Sequence, residues 1–224
     1  MGRFRQTKGK KGSLRWIQQA VEQGWSEFEQ PILSRLVRAQ TIEWRSPLAH
    51  DDFAEYRDGA FLDRLGLSEH TPALAEFWPA GGPQWDALGV TDQGHVLLVE
   101  AKAHIAEMCS SGTAAGPESR AKIAERLNVC AEALGASKHR APWTDHFYQL
   151  ANRYAHLHFL RGRGVNAYLV FVNFLNDREM GGPSIEEAWK AAYEVAHRVM
   201  GLGTRHRLSP FLVEVFPDVN ARAS

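Results

Sequence analysis

The chain has 224 residues, 44% of them hydrophobic, a length and composition that suit one elaborated domain with a single substantial core. Its 26 basic and 26 acidic residues cancel, so no global positive field marks a nucleic-acid binder, and such a role has to rest on local patches. Cys109 and Cys130 are too few for a disulfide framework or a cysteine zinc site. No run approaches the roughly 20 apolar residues of a membrane span, and the first residues lack a secretory apolar stretch, which predicts a cytoplasmic protein with no membrane partner.

Residues 1–12 carry Arg3, Arg5, Lys8, Lys10 and Lys11 among small polar residues and read as a flexible basic arm ahead of one domain over 13–224. From Ser13 to about Gln40, Leu14, Ile17, Val21, Phe28, Ile32 and Leu36 recur at helical spacing. Gly24 and Pro31 interrupt it, and Ser26 with Glu29 fits a capping box, so two consecutive helices are predicted. Thr41 to Trp44 suits a short strand, and Asp51 or Asp52 would cap a helix running to Gly66. The stretches LAEFWP, GPQWDALGV and HVLLVEAKA then read as three strands. Residues 105–116 read as a loop. Helices are predicted from Pro117, over about 145–161 and over about 184–200, with apolar strands at VNAYLVFVNFL and PFLVEVF. The order implies an α/β fold, a mixed central sheet flanked by helices.

An apolar run ending in Glu100-Ala101-Lys102 is costly unless those charges meet a partner. Asp92-Gln93-Gly94 fits a three-residue hairpin loop with a left-handed last position, which sets Thr91 opposite His95 and Asp86 opposite Glu100. Alternation puts Lys102 on the face of Glu100. Facing carboxylates repel unless they share a proton or a cation, and Mg²⁺ favours such oxygen donors, with Mn²⁺ as a substitute.

With Asp86 on one strand and Glu100-Ala101-Lys102 on the next, residues 52–174 resemble the core of the PD-(D/E)XK nuclease superfamily, the restriction-endonuclease-like phosphodiesterases. Trp85 stands where the name-giving proline would be. The resemblance implies a restriction-endonuclease-like core and Mg²⁺-dependent hydrolysis of phosphodiesters, with DNA as the expected substrate. It implies metal ligands at Asp86, Glu100 and the Ala101 carbonyl, and a catalytic Lys102. It also implies a further acid from the preceding helix, for which Glu55 is the choice.

On the helix over 145–161, Gln149, Arg153 and His156 share one face, and Lys138 and Arg140 precede it; together they form the expected nucleic-acid-binding surface. Trp78 and Trp85 suit core packing better than base stacking. Two other readings stay open. One is a non-catalytic nucleic-acid-binding module on the same scaffold, and the other an interaction protein with no nucleic-acid role. No separate DNA-reading segment is visible, which leaves room for a targeting partner or a homo-oligomer.

Overall fold

The computed structural model describes residues 2–222, so Met1 of the 1–12 arm and the last two residues of the 13–224 domain lie outside it. The chain forms β1 (Arg3–Phe4), α1 (Gly12–Gln23), α2 (Ser26–Leu33), β2 (Ile42–Ser46), β3 (Glu55–Tyr56), α3 (Gly59–Arg64) and α4 (Thr71–Phe77). It continues with β4 (Ala87–Thr91), β5 (Val96–Lys102), α5 (Pro117–Ala133), α6 (Tyr148–Arg161), β6 (Ala167–Asn173), α7 (Glu186–Val199) and β7 (Leu212–Val215). The architecture is α/β. A five-stranded mixed sheet runs in the order β2-β4-β5-β6-β7, and β1 pairs with β3 in a separate two-stranded sheet.

β2, β4 and β5 are antiparallel neighbours, whereas β5–β6 and β6–β7 are parallel. All seven residues of β5 are buried, because this strand lies at the centre of the sheet with helices on both faces. Leu97, Val99 and Ala101 pack with Ile17, Val21, Phe28 and Ile32 of α1 and α2. Val96 and Leu98 point the other way, into the larger core built with α5, α6 and α7. Burying a side chain such as Leu97 or Leu98 contributes about 1.5–3 kcal/mol, so the register of β5 is strongly fixed by its two faces. The alternation that sorts these residues also sends Glu100 and Lys102 toward α6.

The hairpin before β5 forms in the register that its turn chemistry predicts. Thr91 N–H donates to the His95 carbonyl at 3.0 Å, Ala87 pairs with Val99, and Gly94 adopts φ +73°, a conformation that favours glycine.

Several expectations are corrected. The helix expected over 52–66 is a 3-10 turn (Ala49–Asp51), then β3, then the short α3. Asp52, Phe53 and Asp58 all have positive φ, which no right-handed helix accommodates, and Asp51 accepts bonds from Arg3, Tyr56 and Arg64. LAEFWP is not a strand but lies mostly in α4, where Leu74 and Trp78 one turn apart turn inward; the first strand of the meander is β2. Trp25, not Ser26, precedes the first turn of α2, and Glu29 accepts a bond from Trp44 Nε1 at 2.8 Å instead of capping. The helix expected from 145 begins at Tyr148, because Phe147 adopts φ +52°, outside the right-handed helical region. The arm, expected to be flexible, pairs with β3, and its Arg3 and Arg5 meet Asp51 and Asp52.

Candidate functional site: an acid cluster at the end of β5

Glu100 and Lys102 are only 2% and 6% exposed, so both charges are out of water and need protein partners. Glu100 Oε1 accepts from Lys102 Nζ at 2.8 Å, and Oε2 accepts from Arg153 Nε at 2.5 Å. Lys102 Nζ donates again to Gln149 Oε1 at 2.8 Å. Arg153 also donates from Nη1 to Asn152 Oδ1 at 2.9 Å and from Nη2 to the Gln84 carbonyl at 2.8 Å, with its guanidinium 4.8 Å from the Trp85 ring centroid. In register with Lys102 on β6 stands the buried Asn173, whose Oδ1 accepts from Tyr193.

Asp86 closes the cluster from the β4 side. The ladder ends at the Ala87–Val99 pair, and one step further Asp86 Oδ2 accepts the Ala101 N–H at 2.7 Å in place of a strand partner. Asp86 keeps a partial opening to solvent. Glu55 comes in from β3, buried, with Oε2 accepting from Gln6 Nε2 at 3.0 Å and from Gln84 Nε2. Neither Asp86 Oδ1 nor Glu55 Oε1 meets a hydrogen-bond donor among the described residues.

These carboxylates differ electrostatically. Burial raises the proton affinity of Asp86 well above that of an ordinary aspartate, and the charges of Glu100 and Glu55 raise it further. Burial would raise Glu100 as well, but Arg153 and Lys102 outweigh it and hold this group below the usual range. Glu55 is raised, chiefly by burial. Both cations lean on Glu100, which leaves the negative charge of the cluster concentrated at Asp86 and Glu55.

The structure thus brings Asp86, Glu100, Lys102 and Glu55 together, with Glu55 on a strand and not on the expected helix. It breaks up the expected nucleic-acid surface. Gln149 touches Lys102, but Arg153 and His156 are buried, since α6 is covered on nearly every side between β6 and its helical neighbours. His156 sits among Phe61, Phe77, Trp78 and Trp85 with Nδ1 2.8 Å from the Asn152 carbonyl, and burial pushes its pKa down to about 3. Trp78 and Trp85 are core residues. Lys138 and Arg140 flank a loop tied to the far end of α7 through Ser137–Gly201 and Ala141–Val199 backbone bonds. Gln6 and Gln84 had no part in the sequence reading. Gln84 was legible, since it stands two residues before Asp86 on an extended stretch; nothing local to Gln6 marks it.

Oxygen donors, excess negative charge and two open carboxylate oxygens fit a divalent cation at Asp86 and Glu55. Glu100 uses one lone-pair position on each oxygen for Lys102 and Arg153 and retains others. The Ala101 carbonyl leaves β5 on the same side as the N–H that Asp86 binds. Among the described residues, no three His, Cys, Asp or Glu side chains are already grouped as a metal-ligand set. No helix among the described residues is long and apolar enough to cross a membrane.

No protein-family model, curated protein or solved structure matches the chain.

Proposed function

We propose that the chain is a divalent-cation-dependent nuclease, with Mg²⁺ as the cation, Mn²⁺ as its substitute and DNA as the substrate. The observation that carries this reading is the convergence of Asp86, Glu100 and Lys102 on one face at the end of β5, with Glu55 beside them. Part of the element order expected over 52–174 accompanies it, with β4, β5, α6 and the parallel β6 in sequence, whereas the leading helix is reduced to the short α3 and LAEFWP is not a strand.

When bound at Asp86, with Glu55, Glu100 and the Ala101 carbonyl beside it, the cation supplies polarisation of a phosphodiester oxygen and a lowered pKa for attacking water. The chain's own residues supply position and charge. Lys102 has three N–H donors; Glu100 and Gln149 take two and aim the third, which suits a non-bridging phosphate oxygen as its charge develops. Arg153 keeps Glu100 ionised despite its burial. Asp86 Oδ2 holds the Ala101 peptide and with it the edge of the site.

A second reading, a non-catalytic nucleic-acid-binding module, is favoured by the closed Lys102–Glu100–Arg153 pairing, which satisfies both Glu100 oxygens internally. Cleavage of supercoiled, linear and single-stranded DNA, and of RNA, in Mg²⁺, Mn²⁺, Ca²⁺ and EDTA separates the two. The nuclease cuts in Mg²⁺ and Mn²⁺, binds without cutting in Ca²⁺, and loses cleavage in Lys102→Ala with the fold intact. Cleavage that survives in EDTA or in Lys102→Ala rejects the mechanism. Salt-dependent binding without cutting in any metal assigns the second reading.

A further inference from the structure

The basic arm enters the acid cluster. Phe4 pairs with Glu55 across β1–β3, and Arg57 N–H donates to the Gly2 carbonyl at 2.8 Å. A Cβ on Gly2 would collide with the Arg57 carbonyl, so this approach needs glycine. Arg3 grips Asp51 through Nε at 3.0 Å and Nη2 at 2.7 Å, and the Gln6 N–H reaches the Asp52 carbonyl at 3.0 Å. Downstream, Gln18 of α1 binds the Gly9 N–H at 2.7 Å and the Thr7 carbonyl at 3.1 Å. The backbone on both sides of Gln6 is thereby held, and its side chain donates to Glu55 Oε2.

Gln6 and Gln84 both donate to Oε2, from different segments. Two donors on one oxygen fix the rotation of the carboxylate and leave Oε1 without a donor among the described residues. Both donors are neutral, so they orient Glu55 without cancelling its charge. Partners of this kind, one step removed from a ligand, set its direction and basicity. We infer that Gln6 is a positioning residue for Glu55, and that the arm carrying it is a fixed part of the site. The inference rests on the cation-dependent reading above.

Mn²⁺ titration of the full chain by calorimetry tests it, alongside steady-state cleavage of duplex DNA and a urea midpoint for each variant. Gln6→Met keeps the length of the side chain and loses the donor; its Mn²⁺ Kd should rise about 10-fold, while Arg5→Ala, which loses only an exposed contact with Asp52, stays within about twofold. Gly2→Val, which pushes the arm off from its other end, should weaken Mn²⁺ as Gln6→Met does. In Gln6→Met, kcat should fall with KM for DNA unchanged, a split that general loosening of the fold would not give. Unchanged Mn²⁺ affinity in folded Gln6→Met, or an equal loss in Arg5→Ala, overturns the inference and leaves the nuclease reading standing. A wild-type chain that binds no Mn²⁺ overturns both.

Discussion

Arg153 is the residue on which the charge state of the cluster depends, and replacing it with Met gives the sharpest test of the electrostatic argument. The substitution approximately conserves volume above Trp85 but removes the 2.5 Å bond to Glu100 and the 2.8 Å bond to the Gln84 carbonyl. Removing one partner of a buried ion pair costs about 3–5 kcal/mol, because the other charge stays buried and under-compensated. That is a large share of the about 5–15 kcal/mol that holds a typical domain together. The cost should depend on pH with a defined sign. In the wild type, Glu100 is held below its ordinary value of 4.5, so it contributes stability above that pH and loses it as pH falls through the lower folded-state value. In Arg153→Met, burial opposed mainly by Lys102 raises the proton affinity of Glu100 above its ordinary value, so the penalty is relieved as pH falls through that raised value and is fully relieved below about pH 4.5. Urea denaturation of both proteins at pH 7 and pH 4 measures the difference. The double variant Arg153→Met/Glu100→Gln should recover part of the loss at pH 7. A cost below about 1 kcal/mol at pH 7, or one of equal size at both pH values, would refute the account of Glu100 as an ion held charged by Arg153.

Two further outcomes follow from the buried ring and the arm. His156 has its pKa at about 3 in the fold against 6.5 unperturbed, so acid charges the unfolded chain first; this one ring should cost about 2 kcal/mol of stability between pH 8 and pH 5, and His156→Phe should flatten that slope in urea midpoints. If nucleic acid binds, Arg3 and Arg5 are already neutralised by Asp51 and Asp52, which leaves Lys8, Lys10 and Lys11 to meet phosphates; replacing all three with Ala should flatten the log K against log[salt] slope by up to about 2.7, and a further flattening toward about 4.5 when Arg3 and Arg5 are replaced as well would mean that the arginines leave their partners.

The sheet was legible because its strands carry their information locally. The hairpin at Asp92–Gly94 fixes its own register, and the apolar runs at β5 and β6 admit few alternatives to burial on both faces. The segment over 52–66 was not legible, since helical spacing in FAEYRDGAFLDRL is real but tertiary bonds to Asp51 and positive φ at Asp52, Phe53 and Asp58 override it. The face of α6 misled for a related reason. Gln149, Arg153 and His156 form a polar stripe, and on a surface helix such a stripe meets water; this helix is buried on almost all sides, so the stripe became the internal counter-charge of Glu100 and the lining of an aromatic pocket. Patterning tells which residues share a face, and only packing tells what that face meets.

The excess negative charge at Asp86 and Glu55 carries the last expectation. With Glu55, Asp86 and Glu100 ionised against Lys102 and Arg153, the cluster holds one uncompensated negative charge, and both cations are bound to Glu100. Either a proton or a metal cation relieves it at Asp86, whose proton affinity is raised well above the ordinary aspartate range by burial first and by Glu100 and Glu55 after it. The two compete, because a ligand carboxylate has to be deprotonated. Mn²⁺ should therefore bind more tightly as pH rises through the raised Asp86 value, with release of up to about one proton per ion on the acid side of it. Calorimetry in two buffers of different ionisation enthalpy reads that number directly. Asp86→Asn retains an acceptor for the Ala101 N–H, so it should keep the fold while losing the proton release and most of the affinity. Binding with no pH dependence and no released proton would mean that Asp86 is not where the cation binds.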